Sequence, residues 1–180
     1  MILRKLNAGL SLLTTVLLLA HAIFTSVWML SGCTISKPVN FLPWILLGLM
    51  LIHVLISIDM VISSHMEGEN RKGKVYPKMN VSMIVQRASG ALLAPVTALH
   101  VAGAAGFMQP PEIVHAIVPP LFFTVALTHT AVSTGKAFIT LGIGNAKFIK
   151  TVDIAMKVLC GATLIASVVG FYIYAFTGVA

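Results

Sequence analysis

Acidic residues are nearly missing from this sequence: Asp and Glu number five in 180 residues, and all charged residues together make up 9%. Beside 58% hydrophobic residues and a mean hydropathy of +0.97, that leaves too little polar surface to clothe a water-soluble globule. The acids present, Asp59, Glu67, Glu69, Glu112 and Asp153, fall at the ends of apolar stretches or between them. Cysteine is as scarce. Cys33 and Cys160 are the two in the chain, one at the outer end of the first apolar stretch and one in the middle of the last, too far apart to bridge. Neither lies in a C-x-x-C-H sequence, which excludes covalent c-type haem attachment. The chain also lacks a polar stretch long enough to hold an active site alone.

What fills the chain instead is five apolar stretches, 8–31, 42–64, 82–107, 112–135 and 152–178, each about long enough to cross a hydrocarbon core of ~30 Å. Short polar breaks separate them: Ser31-Gly32-Cys33 to Asn40, Glu67 to Lys74, Met108-Gln109-Pro110-Pro111, and Gly142 to Lys150. The expectation is an all-α integral membrane bundle of five transmembrane helices, one domain over residues 1–180. Cytoplasmic flanks hold Lys and Arg in excess. Arg4 and Lys5, then Arg71, Lys72, Lys74 and Lys78, then Lys136, Lys147 and Lys150 fall on the same side of a five-helix path, with Lys37 opposite. The N-terminus is predicted in the cytoplasm and the C-terminus outside, with Trp28, Phe41, Trp44, Tyr172 and Tyr174 as outer interface anchors. The net charge of +7 then reads as topology, and no accessible basic face with interleaved aromatics suggests nucleic-acid binding. Leu30-Ser31-Gly32-Cys33 looks like a lipoprotein cleavage box, but the preceding apolar stretch exceeds the roughly 7–15 residues of a signal peptide and reads as a retained helix.

Six histidines are present, and four lie inside predicted spans: His21, His53, His100 and His129, one in each of the first four helices. His65 and His115 sit near helix ends. An ionisable side chain within a span is costly and usually faces the bundle interior as ligand, relay or partner. Hydrogen bonding to a neighbouring helix is the plain alternative for any one of them. Counting ~1.5 Å per residue from the inner ends puts His53 roughly 17 Å and His129 roughly 9 Å up, against roughly 20 Å for His21 and 27 Å for His100. The histidines therefore fall into an inner and an outer layer. Two imidazoles from facing helices at one depth fill the axial positions of a b-type haem, and two such haems would form an electron path across the bilayer. Zinc or di-iron centres gather their ligands at one point, usually with Cys, Asp or Glu, and a proton relay usually includes carboxylates.

Helix three is rich in small residues, among them Ala88, Ser89, Gly90, Ala91, Ala94 and Ala98, which would let its backbone approach either a flat macrocycle or another helix. Pro95 and Pro119-Pro120 are expected to kink helices three and four. Haem propionates need positive charge or donors at the membrane edge. Arg87, with Gln86 and Ser89 beside it, can supply them at the inner start of helix three, and Lys157 in helix five either reaches the same region or snorkels to the interface.

At Ile84-Val85-Gln86-Arg87-Ala88-Ser89-Gly90, with His100 downstream, the sequence resembles the third helix of the dihaem membrane anchor of succinate:quinone oxidoreductases, the succinate dehydrogenases and fumarate reductases. The Q-R-x-[ST]-G start and the later His are that family's pattern. The resemblance runs over nearly the whole chain through Arg4-Lys5-Leu6 before His21, Leu51-Ile52-His53, Thr128-His129 and a fifth helix without His. It implies that His53 and His129 bind an inner haem b, and that His21 and His100 bind an outer one. It implies partners on the cytoplasmic face of the cell membrane of a bacterium: a flavoprotein carrying FAD and an iron–sulfur subunit, with membrane quinone as the other redox partner. Dicarboxylate chemistry would belong to those partners. Two departures stand out. Leu127 occupies the position of a glutamate found in some fumarate reductases, and Thr130-Ala131-Val132 replaces the Asn-Gly that usually follows the fourth-helix ligand. No carboxylate in the first outer loop marks a quinone site. Another membrane dihaem cytochrome, of a hydrogenase or formate dehydrogenase, would place its ligands differently. A cofactor-free transporter would be supported by an inverted repeat, which the sequence does not display.

Overall fold

The computed structural model describes residues 2–31, 41–69, 81–107 and 111–177, and for 64–69 and 112 the backbone alone. Cys33, Lys37, Arg71, Lys72, Lys74 and Lys78 lie outside the described residues. Every element found is helical: α1 Ile2–Ser31, α2 Leu42–Glu69, α3 Val81–Ala104, α4 Glu112–Leu141 and α5 Ala146–Thr177. Helices suit so apolar a chain because each satisfies its own backbone polar groups without water.

Four of them, α1, α2 over Leu42–Ser63, α4 over Ile113–Leu141 and α5, are long and apolar enough to cross a membrane. Twenty-four residues give α3 about 36 Å of length, enough to cross. Its composition is what falls short, because Gln86, Arg87, Ser89, Thr97 and His100 dilute its apolar residues.

The helices overrun the apolar stretches mainly at their basic ends. α4 continues from 135 through Lys136 to Leu141 and stops at Gly142, whose left-handed conformation (φ 75°, ψ 26°) turns its N–H back to the Ile139 carbonyl at 3.1 Å. Three residues later Asn145 caps α5, its side-chain oxygen accepting from the Phe148 N–H at 2.9 Å. The break expected over Gly142 to Lys150 therefore shrinks to four residues, 142–145. Hydropathy marks where a chain leaves the hydrocarbon, whereas caps mark where the helix ends. Pro95, Pro119 and Pro120 stand inside continuous helices.

α1 and α4 form the centre of the bundle, with α5 against both, while α2 packs mainly on α1 and α3 mainly on α4. Phe122, Phe123, Ala126, Leu127, Thr130 and Thr134 make α4 the most enclosed helix. Contacts fix the relative directions. Asn7 bonds Ser57 across α1 and α2, Lys136 bonds Ser82 across α4 and α3, and Gly135 lies beside Asp153 on α5, so each of these pairs is antiparallel. Trp28 meets Tyr174 with ring centroids 5.1 Å apart, and Ser26 meets Ser167, so α1 and α5 run parallel. Every Lys and Arg of the described residues consequently lies at one end of the bundle: Arg4, Lys5, Arg87, Lys136, Lys147, Lys150 and Lys157.

The α1–α5 seam is built from small residues. Thr163, Ser167 and Gly170 line one face of α5, and Gly170 would place a Cβ 3.4 Å from the Ser26 carbonyl. Ser26 gives its single hydroxyl proton to the Ala22 carbonyl at 2.6 Å, so in the 2.8 Å contact between the two serines Ser167 is the donor. Ser167 is 0% exposed. Ser167→Leu is expected to cost about 1–3 kcal/mol by overpacking, seen as a lower midpoint in unfolding of the detergent-solubilised protein. An unchanged midpoint would mean that this seam is not close-packed.

Candidate histidine centres between the helices

The inner pair starts at the N-terminal turns of α3. Ser82, Gln86 and Ser89 recur at helical spacing and so share the face that meets α4. Ser89 donates to the Val85 carbonyl at 2.6 Å, which leaves its oxygen as an acceptor 3.1 Å from His129 Nδ1. The Gln86 carbonyl, a pure acceptor, lies 3.2 Å from the same nitrogen. Two acceptors around Nδ1 require it to carry the ring proton, so Nε2 is the unprotonated nitrogen with its lone pair available. Gly90 completes the cradle: a Cβ there would stand 3.1 Å from His129 Cε1 and 3.5 Å from Nδ1. Lacking one, α3 lets the imidazole lie against its backbone.

His53 of α2 lies within electrostatic reach of His129. Its Nδ1 is buried and has no hydrogen-bond partner among the described residues. The Asn7 backbone of α1 lies near enough to the His53 ring to interact with it, and a water or a ligand would complete the bonding of a buried nitrogen of this kind. One turn further along α2, Ser57 bonds Asn7 of α1 at 3.3 Å and ties these two helices together toward the basic end of the bundle.

The outer pair shares a cavity of about 210 Å³ bounded by α1, α2, α3 and α4. His21 and His100 both line it, with Trp44, Met50, Thr97 and Phe122, and the two imidazoles are within electrostatic reach of each other. His100 stacks on Phe122 at a centroid distance of 4.2 Å and an interplanar angle of 3°. Thr97, one turn before His100, is buried and its hydroxyl has no hydrogen-bond partner among the described residues.

The histidines are thus within electrostatic reach two and two, His53 with His129 and His21 with His100, and the second two also line one cavity. Among the described residues no three of His, Cys, Asp or Glu converge on one point. Of the other residues singled out from sequence, Gln86, Ser89 and Gly90 touch or flank His129, and Arg87 lies on the exposed side of α3 close enough to sense Lys136. Lys157 is placed differently: it is exposed on α5 and paired with Asp153 four residues earlier on the same helix. His115 is exposed near the start of α4.

Sequence reading passed over two residues of these centres. Thr97 could have been found from its i−3 spacing to His100 on one face of α3. Lys136, counted above with the topology charges, stands two turns beyond His129 and donates to Gln86 Oε1 at 2.7 Å and to the Ser82 carbonyl at 3.1 Å. Most of helix three's small residues, Ala88, Ala91, Ala94 and Ala98 among them, are exposed in the isolated chain, and Ser89 and Gly90 alone meet the His129 ring. Leu127 is 1% exposed, in the protein core two residues from His129. Comparison with known protein families, with curated proteins and with solved structures finds no match to this chain.

Proposed function

We propose that this chain is a dihaem cytochrome b that anchors a succinate dehydrogenase or fumarate reductase in the membrane and exchanges electrons with quinone. The observation that carries the reading is the state of His129. Its Nδ1–H is consumed by Ser89 and the Gln86 carbonyl, and its Nε2 lone pair is left for a ligand. That is how metal-binding histidines are usually held. His53 and His129 would hold the inner haem, and His21 and His100 the outer one. Bound haem supplies one-electron chemistry by cycling its iron between ferric and ferrous states.

The chain's own residues do the rest. Gly90 keeps the His129 ring against α3, Phe122 holds the His100 ring flat, and the buried Thr97 hydroxyl offers a polar contact in the outer cavity. Arg87, with Gln86 and Ser89, lies at the inner end and would meet the propionates there, whereas the charge of Lys157 is taken up by Asp153. The outer cavity is smaller than a porphyrin, and α2, held mainly through α1, is the wall best able to move outward.

Five crossings with the N-terminus in the cytoplasm are part of this reading, and parallel α1 and α5 with all described cations at one end support it. The basic end would face the flavoprotein with its FAD and the iron–sulfur subunit, and electrons would pass from there through the inner and then the outer haem, or in reverse. The test is a pyridine haemochrome assay on the complex purified from membranes under adequate haem supply. About two haems b per chain are expected. A value near zero would leave the histidines to a proton path or to helix packing.

A further inference from the structure

We infer that Lys136 is a positioning residue for the inner ligand His129, acting through Gln86; the inference rests on the haem reading above. A lysine five residues from the end of a membrane helix ordinarily extends along the helix to the interface. Lys136, partly exposed, is directed sideways instead. Its ammonium is turned onto α3, where it donates to Gln86 Oε1 at 2.7 Å and to the Ser82 carbonyl at 3.1 Å. Gln86 is the same residue whose backbone carbonyl lies 3.2 Å from His129 Nδ1. One residue of α3 is therefore held twice by α4, through its side chain by Lys136 and through its backbone by the ligand itself.

The spacing makes this a two-point clamp. His129 and Lys136 are seven residues apart on one face of α4, and Ser82, Gln86 and Ser89 follow one face of α3 in the opposite direction. Contact at His129, with the packing of Leu93 and Val96 beyond it, leaves the N-terminal turns of α3 without a polar anchor, so that they can shift the acceptors of Nδ1. The second contact, one to two turns distant and charge-assisted, blocks that shift. A Cβ at Gly90 would stand only 3.1 Å from His129 Cε1, so the ring lies close against the α3 backbone and has little room on that side. The residue fixed by the clamp is thus the orientation of the His129 imidazole and the availability of its Nε2.

Lys136 also carries a positive charge near the inner site, and charge alone would alter a haem potential. The two origins separate in the purified complex, read by the low-spin electron paramagnetic resonance signal of the inner haem, which depends on the angle between ligand planes, together with its midpoint potential. Lys136→Met and Gln86→Leu break the same contact, and only the first removes the charge. Both are expected to shift the low-spin signal in the same sense, the double variant no further than either, with the inner haem retained roughly tenfold or more weakly. Lys136→Arg, still able to donate, is expected to restore the signal. The outer haem serves as an internal control for folding. A moved potential in Lys136→Met beside a wild-type low-spin signal in Gln86→Leu would overturn the clamp and leave a charge effect. Absence of haem from the unsubstituted complex would instead remove the reading on which the clamp rests.

Discussion

His129→Ala is expected to take the inner haem out of the complex and leave the outer one, lowering haem b from about two per chain to about one. The substitution removes an axial ligand outright, so the loss in electron transfer to quinone should exceed the roughly 10–100-fold typical of losing a ligand's outer hydrogen-bond partner. His53→Ala should behave the same way, because His53 is the imidazole within reach of His129. His100→Ala and His21→Ala should take the outer haem, since these two share the outer cavity. Redox difference spectra distinguish the two haems. The four variants must fall into these two classes, and His129→Ala losing the outer haem alone would contradict the pairing. The bundle should survive each change, because the four side chains are only partly enclosed in the chain while the core is carried by Phe122, Phe123, Ala126 and Leu127.

Gly90→Val is expected to have the second largest effect. The first added carbon would already stand 3.1 Å from His129 Cε1, and the γ-methyls of Val need more room still. The imidazole must give way, which breaks its contacts at 3.1 Å and 3.2 Å to Ser89 and Gln86. Overpacking of this kind costs about 1–3 kcal/mol. The functional consequence is larger than the stability figure, since the ring loses the bonds that hold its proton on Nδ1. Gly90→Ala presents a different balance. A shift of a few tenths of an ångström accommodates one methyl, and alanine gains about 0.8–1 kcal/mol of helix propensity over glycine, so stability should be nearly unchanged while the haem spectrum moves. Gly48→Ala is the control, because a Cβ there meets nothing within 4 Å. Thermal unfolding of the purified complex and its haem spectrum, measured together, check the series. A Gly90→Val protein with the wild-type spectrum would mean that α3 does not hold the ring.

Much of this architecture was legible in one dimension. Apolar runs fixed the helices to within a few residues at most ends, because the cost of exposing backbone polar groups to lipid allows little else. The overruns at Arg4, Lys136 and Lys147 were not legible from hydropathy, since helices continue past the hydrocarbon until a cap such as Gly142 stops them. Depth along each helix is a simple count, and it set His53 and His129 below His21 and His100. Of the small residues of helix three, Ser89 and Gly90 meet the His129 ring. The tight small-residue seam is on α5, at Thr163, Ser167 and Gly170, where no stretch of sequence stood out.

The amino-acid sequence by itself determined that the chain is helical and apolar, which residues are ionisable within it, and at what height each stands, because rise per residue is a property of the helix alone. Tertiary structure decided which faces meet: that Ser89 and the Gln86 carbonyl hold Nδ1 of His129, that Lys136 reaches across to Gln86, and that the buried Thr97 hydroxyl beside His100 finds no partner among the described residues. The physical reason is one of range. Hydrogen bonds and ring contacts act over about 3–4 Å, so they depend on the rotation and tilt each helix adopts against its neighbours, and neither is encoded in any single helix.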